Sequence, residues 1–181
     1  MKYTPFTQTT LFSDLDELDV WLAGRGITQR NRLRIYRENV IAMRDREKAI
    51  GVAEVFTEVQ KVGRLTEILA SYVEGYEFVD ALMCLRAAQV DIPDELLRRA
   101  LEGTPDAARE SPKNNQGRNA MFELSIGAML ARDNLKPKLS TDNPDVEFRF
   151  EDRRVLVFAL GVGYPLSLKP LSCVFTFRDY R

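Results

Sequence analysis

The chain contains no histidine. Ser-His-Asp and Cys-His nucleophilic catalysis, zinc enzymes built on imidazole ligands and nucleases with a histidine base all need that ring, so all are excluded. Its two cysteines, Cys84 and Cys173, are too few for a disulfide framework or a four-cysteine zinc site. Met1-Lys2-Tyr3-Thr4-Pro5 opens the chain without the apolar run of a signal peptide, and a reducing, cytoplasmic location is expected. The longest uncharged run, 155–168, is shorter than the roughly 20 residues of a membrane-spanning helix and contains Gly161, Gly163 and Pro165, so no membrane association is expected. A formal net charge of −1 leaves no whole-molecule pull toward polyanions, and any such binding must come from a local patch. What remains is carboxylate chemistry with hard cations, lysine or tyrosine chemistry, or binding without catalysis.

What is present describes a globular chain. Hydrophobic residues make up 45% and charged residues 29% of 181 positions, enough apolar surface for a core in one domain, or one domain with a smaller appendage. From about residue 15 to 102, apolar residues recur at three-to-four spacing, which predicts helices near 14–23, 28–48, 50–61, 64–74, 76–90 and 93–102. Gly24, Gly26, Gly51, Gly63, Gly75 and Ile92-Pro93 supply the breaks. A polar stretch rich in turn formers at about 103–117 separates a helical region, 1–110, from a different segment, 111–181. Cys84, within Ala81-Leu82-Met83-Cys84-Leu85, is expected to be a core thiol.

Within the helical region, Arg30, Arg32, Arg34 and Arg37 precede Arg44, Arg46 and Lys48, against Glu38, Asp45 and Glu47. Leu33, Tyr36, Val40 and Met43 form an apolar stripe on the same helix. Such a helix either lies along a phosphate backbone, with Arg30, Arg32, Arg34 and Arg37 as nucleic-acid contacts, or presents an ordinary solvated face.

The second segment changes character. Residues 118–132 read as a helix, followed by strands at 144–150 and 154–160 around a tight turn at Glu151-Asp152-Arg153. In the first strand Val146, Phe148 and Phe150 share one face and Asp145, Glu147 and Arg149 the other, while the second is apolar on both faces. Glu123 is the only charged residue between Asn119 and Ala131. At 100° per residue it falls beside Ile126 and Leu130, so its carboxylate needs a cation or hydrogen-bond donors, unless it reaches solvent or Arg118. Asp145 follows Asn143-Pro144, where proline favours extended backbone before it. Gly161-Val162-Gly163 lacks the third glycine and the following helix of a phosphate-binding turn.

In order, these pieces are a glutamate in an apolar helix, about twenty residues, Pro-Asp opening a strand, a hairpin turn and an apolar strand. The stretch from Gly117-Arg118-Asn119-Ala120-Met121-Phe122-Glu123 to Asn143-Pro144-Asp145-Val146-Glu147-Phe148 resembles the start of the PD-(D/E)xK nuclease superfamily. The resemblance covers about a quarter of the chain. It implies an α+β protein: a helical N-terminal region followed by a short, incomplete restriction-endonuclease-like α/β core. It also implies that Glu123 and Asp145 hold Mg2+ or Mn2+ for cleavage of nucleic-acid phosphodiesters, with Glu147 offering a replacement oxygen. The family's acidic-x-Lys pair falls at Phe158 and Leu160, where both groups are missing. The expectation is therefore a degenerate or truncated nuclease relative, weakly active or inactive. The alternative is a non-enzymatic protein whose helical region binds a protein partner.

Overall fold

The computed structural model describes residues 8–28, 32–103, 116–142, 145–158 and 174–177. Arg30, Asn143, Pro144, Leu160, Gly161, Gly163 and most of the expected 103–117 connection lie outside the described residues. The described residues form six helices: α1 Gln8–Gly24, α2 Arg32–Ile50, α3 Val52–Lys61, α4 Leu65–Ala87, α5 Asp94–Leu101 and α6 Gln116–Arg132. Four strands follow, β1 Lys138–Leu139, β2 Val146–Phe150, β3 Arg153–Phe158 and β4 Val174–Phe177. The protein is thus α+β, mostly helical with a small antiparallel sheet ordered β1-β2-β3-β4. No described helix is long and apolar enough to cross a membrane.

The chain divides into two compact units, and the division falls inside α4, between Val79 and Asp80. The first contains α1, α2, α3 and the N-terminal part of α4. Leu11, Leu15, Leu18 and Leu22 of α1 recur at four-three-four spacing and are all buried, as are Leu33, Tyr36, Val40 and Met43 of α2. Two amphipathic stripes of this kind bury each other, which fixes α1 against α2. Met43, Val55 and Ile68 close the core between α2, α3 and α4. Helix α1 ends in a Schellman arrangement, with Ile27 N–H donating to Leu22 O and Gly26 N–H to Ala23 O while Gly26 takes φ +71°.

Gly75 does not break a helix, contrary to the expected division at 64–74 and 76–90; α4 runs through it. A Cβ at Gly75 would stand 3.3 Å from the Tyr36 Cβ. The glycine therefore serves close approach of α2 and α4, and its helical cost of about 1 kcal/mol relative to alanine is too small to end a 23-residue helix.

In the second unit α5 packs against α6, and α6 covers the sheet through β1 and β2. Antiparallel register pairs Leu139 with Val146, Val146 with Val157 and Phe148 with Val155. Paired residues point to the same side, so Leu139, Val146, Phe148, Val155 and Val157 form one apolar face, and all five are buried. The other face carries Lys138, Glu147, Arg149 and Arg154. The hairpin turn is shorter than expected, Glu151-Asp152 alone between the paired Phe150 and Arg153, with Glu151 at φ +52° as a two-residue hairpin requires. Strands β1 and β4 were not anticipated. The first is two residues long, too short for a periodicity to register.

Candidate functional site

Three elements of the second unit bring charged groups together. Helix α6 presents Gly117, Ala120, Glu123, Leu124, Gly127 and Ala128 to the interior. Glu123 therefore lies within the buried stripe, between Ala120 and Gly127, with the half-buried Ile126 and Leu130 along its flank. Its residue exposure is 3%.

Two glycines allow this depth. A Cβ at Gly117 would meet the backbone oxygen of Glu102 at 2.3 Å and that of Arg99 at 3.1 Å, so the first turn of α6 sits directly on the last turn of α5. A Cβ at Gly127 would meet Leu139 at 2.8 Å and Leu85 at 3.4 Å. Backbone contact at one end and sheet contact at the other lock the face of α6 that carries Glu123.

Arg99, in the last turn of α5, supplies the opposite charge. Its Nη2 stands 3.7 Å from Glu123 Oε2, close enough for strong attraction and too far for a hydrogen bond. Both atoms are buried without a hydrogen-bond partner among the described residues. Burial pushes the Glu123 carboxyl up to about 7, the negative charge of Asp145 pushes in the same direction, and Arg99 opposes both. Asp145 is half-buried just before β2. The register continues from Val146 opposite Val157, so Asp145 stands next in line with Phe158, a half-buried ring where the resemblance calls for a carboxylate.

Glu147, two residues beyond Asp145, is already partnered. It belongs to the outer sheet face, where Arg154 Nη2 donates to its Oε2 at 2.5 Å. Glu123 thus lies in the field of Asp145, and Glu147 is engaged by Arg154. Hard carboxylate oxygens suit Mg2+ or Mn2+, and Mg2+ is commonly held by one or two carboxylates with water completing its shell. Two carboxylates are the donors on offer here, and among the described residues no cluster of three or more His, Cys, Asp or Glu is assembled for a metal.

Arg99 is the member of the site that the sequence expectations omitted. In Asp94-Glu95-Leu96-Leu97-Arg98-Arg99-Ala100-Leu101 it sits among Leu96, Leu97, Ala100 and Leu101, all buried. An arginine inside such a stripe signals a buried acid elsewhere in the chain.

The basic residues of α2 lie in the first unit and are largely spoken for. Arg32 is 2% exposed, inside the unit and away from any external phosphate. Arg34 Nε donates to Asp19 Oδ1 at 3.0 Å, and Arg37 Nε to Asp16 Oδ1 at 2.7 Å. Arg46 forms two hydrogen bonds to Glu58, holding that carboxyl below its usual range. What reads as a basic face in sequence is a seam of ion pairs with α1 and α3. Cys84 is buried, with its thiol donating to Ala128 O at 3.4 Å and its ionisation suppressed by burial.

Comparison of the chain with protein-family models, with curated proteins and with solved structures finds no match.

Proposed function

We propose that the second unit is a degenerate relative of the PD-(D/E)xK nucleases that takes up a divalent cation at Glu123 and Asp145 and has little or no hydrolytic activity. The observation that carries this is the buried Glu123 Oε2, which lacks a hydrogen-bond donor among the described residues and lies in the field of Asp145. An interior carboxylate with an unsatisfied oxygen in the field of a second carboxylate suits a cation. The succession α6, β1, β2, β3, with Asp145 at the start of the middle strand, supports the same resemblance. The apolar Phe158 and the engagement of Glu147 with Arg154 favour binding over cleavage, because among the described residues a third ligand and a lysine to orient the attacking water are both wanting. A bound cation would supply charge neutralisation; Glu123 and Asp145 would hold it, and Arg99 would orient Glu123.

The test is thermal unfolding with Mn2+ or Mg2+ at millimolar concentration. A ligand bound by the native state alone raises the midpoint, and Asp145→Ala abolishes the rise. A midpoint indifferent to both metals overturns the proposal.

A second function, docking of a protein partner on the helical unit, is favoured by one observation. Leu69, Val73 and Tyr76 stand at i, i+4 and i+7 on α4 and are exposed by 46, 58 and 36%. A stripe of that spacing is a helix-docking face. Leu69→Glu with Val73→Glu would leave the fold intact and abolish co-purification of a specific partner.

A further inference from the structure

The outer face of the sheet in the second unit has a charge imbalance created by the pairing of its strands. Register places Lys138 opposite Glu147 and Arg149 opposite Arg154. Of the four charged side chains at these paired positions, three are positive. Glu147 is within reach of two cations, Lys138 across β1 and Arg154 across β3, and it binds Arg154 at 2.5 Å. Lys138 and Arg149 are left exposed, with no ion pair among the described residues. Like charges directly opposite on adjacent strands, as Arg149 and Arg154 are, repel each other unless an anion lies between them.

Lys136, two residues before Lys138, extends this row, and an open groove runs past Lys136, Lys138, Glu147 and Arg149. All three cations in the groove are exposed. The contrast with α2 is direct: there each described arginine near the surface is matched to an aspartate or glutamate, whereas here the single carboxylate of the groove is already neutralised.

We infer that this groove binds the phosphodiester backbone of a nucleic acid, with Lys136, Lys138 and Arg149 as the phosphate contacts. Spaced exposed cations on a groove floor follow a repeating anion better than a single compact one, and they release its condensed counterions on binding. The inference deepens the proposed nuclease kinship by naming the surface that receives the polymer. It does not depend on the cation site, because phosphate contact of this kind requires no metal.

The experiment is fluorescence anisotropy of labelled 20-nucleotide single-stranded DNA, the corresponding duplex and single-stranded RNA, titrated with the whole chain in EDTA at several salt concentrations. Wild type is expected to bind at least one of the three, more weakly as salt rises. Lys136→Glu/Lys138→Glu/Arg149→Glu is expected to weaken binding at least tenfold at low salt. Lys138→Gln/Arg149→Gln, which adds no repulsion, is expected to weaken it severalfold and to flatten the dependence of log affinity on log salt by roughly 1–2. Circular dichroism confirms that each variant is folded, and if the triple variant is not, the double variant decides. No binding by wild type, binding indifferent to salt, binding of the folded variants within twofold of wild type, or binding of anionic vesicles in place of nucleic acid overturns the inference. Because EDTA is present throughout, failure here leaves the metal-dependent midpoint shift untouched, and failure of that shift leaves this result standing.

Discussion

Arg99 Nη2 and Glu123 Oε2 face each other at 3.7 Å, each buried and neither hydrogen-bonded among the described residues. The pair has Coulomb attraction without the hydrogen bonds that usually repay desolvation of both ions. Arg99 keeps 28% of its side chain exposed, while the Glu123 side chain keeps 4%. The cost of burial therefore falls on the carboxylate, which retains its proton to about pH 7.

That asymmetry makes stability depend on pH. A carboxyl near 4.5 in the unfolded chain and about 7 in the folded one binds more protons in the folded state between those values. Its contribution is fully present below pH 4.5, is lost as pH rises through about 7, and costs roughly 2–3 kcal/mol at pH 8 compared with pH 4.5. Glu123→Gln removes the titration. In urea unfolding the variant should exceed wild type by about 1–2 kcal/mol at pH 8, and the gap should close by pH 5. A constant gap across that range would show that Glu123 does not titrate there.

Arg99→Met removes a nearby group that favours the charged form of Glu123. The Glu123 carboxyl, followed by 13C NMR, should then titrate above its wild-type midpoint. Stability should fall at pH 8 more than at pH 5, by a difference of about 1 kcal/mol or more. An unchanged midpoint would mean that solvent screens Arg99 completely.

The two glycines of α6 should differ in tolerance. Gly117→Ala drives a methyl into the backbone oxygen of Glu102, which cannot move without displacing α5 from α6, and should cost about 2–3 kcal/mol. Gly127→Ala meets the end of the Leu139 side chain, which can rotate away, and should cost about 1 kcal/mol or less. Equal losses in urea titrations would refute the claim that backbone contact fixes the start of α6.

In the first unit, Asn39 Nδ2 donates to Ser71 Oγ at 2.9 Å, and Ser71 Oγ donates to Glu67 O at 2.8 Å. Ser71 is fully buried and Asn39 nearly so. Ser71→Ala leaves the Asn39 amide short of a close acceptor, since Glu67 Oε1 stands at 3.4 Å, and should cost about 1–3 kcal/mol. A loss below 0.5 kcal/mol, about half the net worth of one such bond, would mean that Glu67 closes the gap.

The helices were legible wherever one stripe repeats over several turns, as in Leu33, Tyr36, Val40 and Met43. Gly75 misled because a glycine that permits close packing and one that ends a helix look alike in sequence; the position of Tyr36 distinguishes them. In the site, the isolation of Glu123 among apolar neighbours announced a buried carboxylate, and Pro144-Asp145 marked a strand nearby. Arg99 went unseen because its partner lies 24 positions along the chain, a separation that no helical or strand period spans.

The sequence by itself determined the α+β class, the apolar stripes, the burial of Glu123 and the lack of an acidic-x-Lys pair at Phe158, because each follows from residue type and local periodicity. Only the tertiary structure decided which charges meet. Arg34 and Arg37 are joined to Asp19 and Asp16 of α1, Glu147 goes to Arg154 in place of Lys138, and Glu123 receives Arg99. The physical reason is that an ion pair depends on distance and solvent exposure, and both are set by how helices and strands pack, not by spacing along the chain.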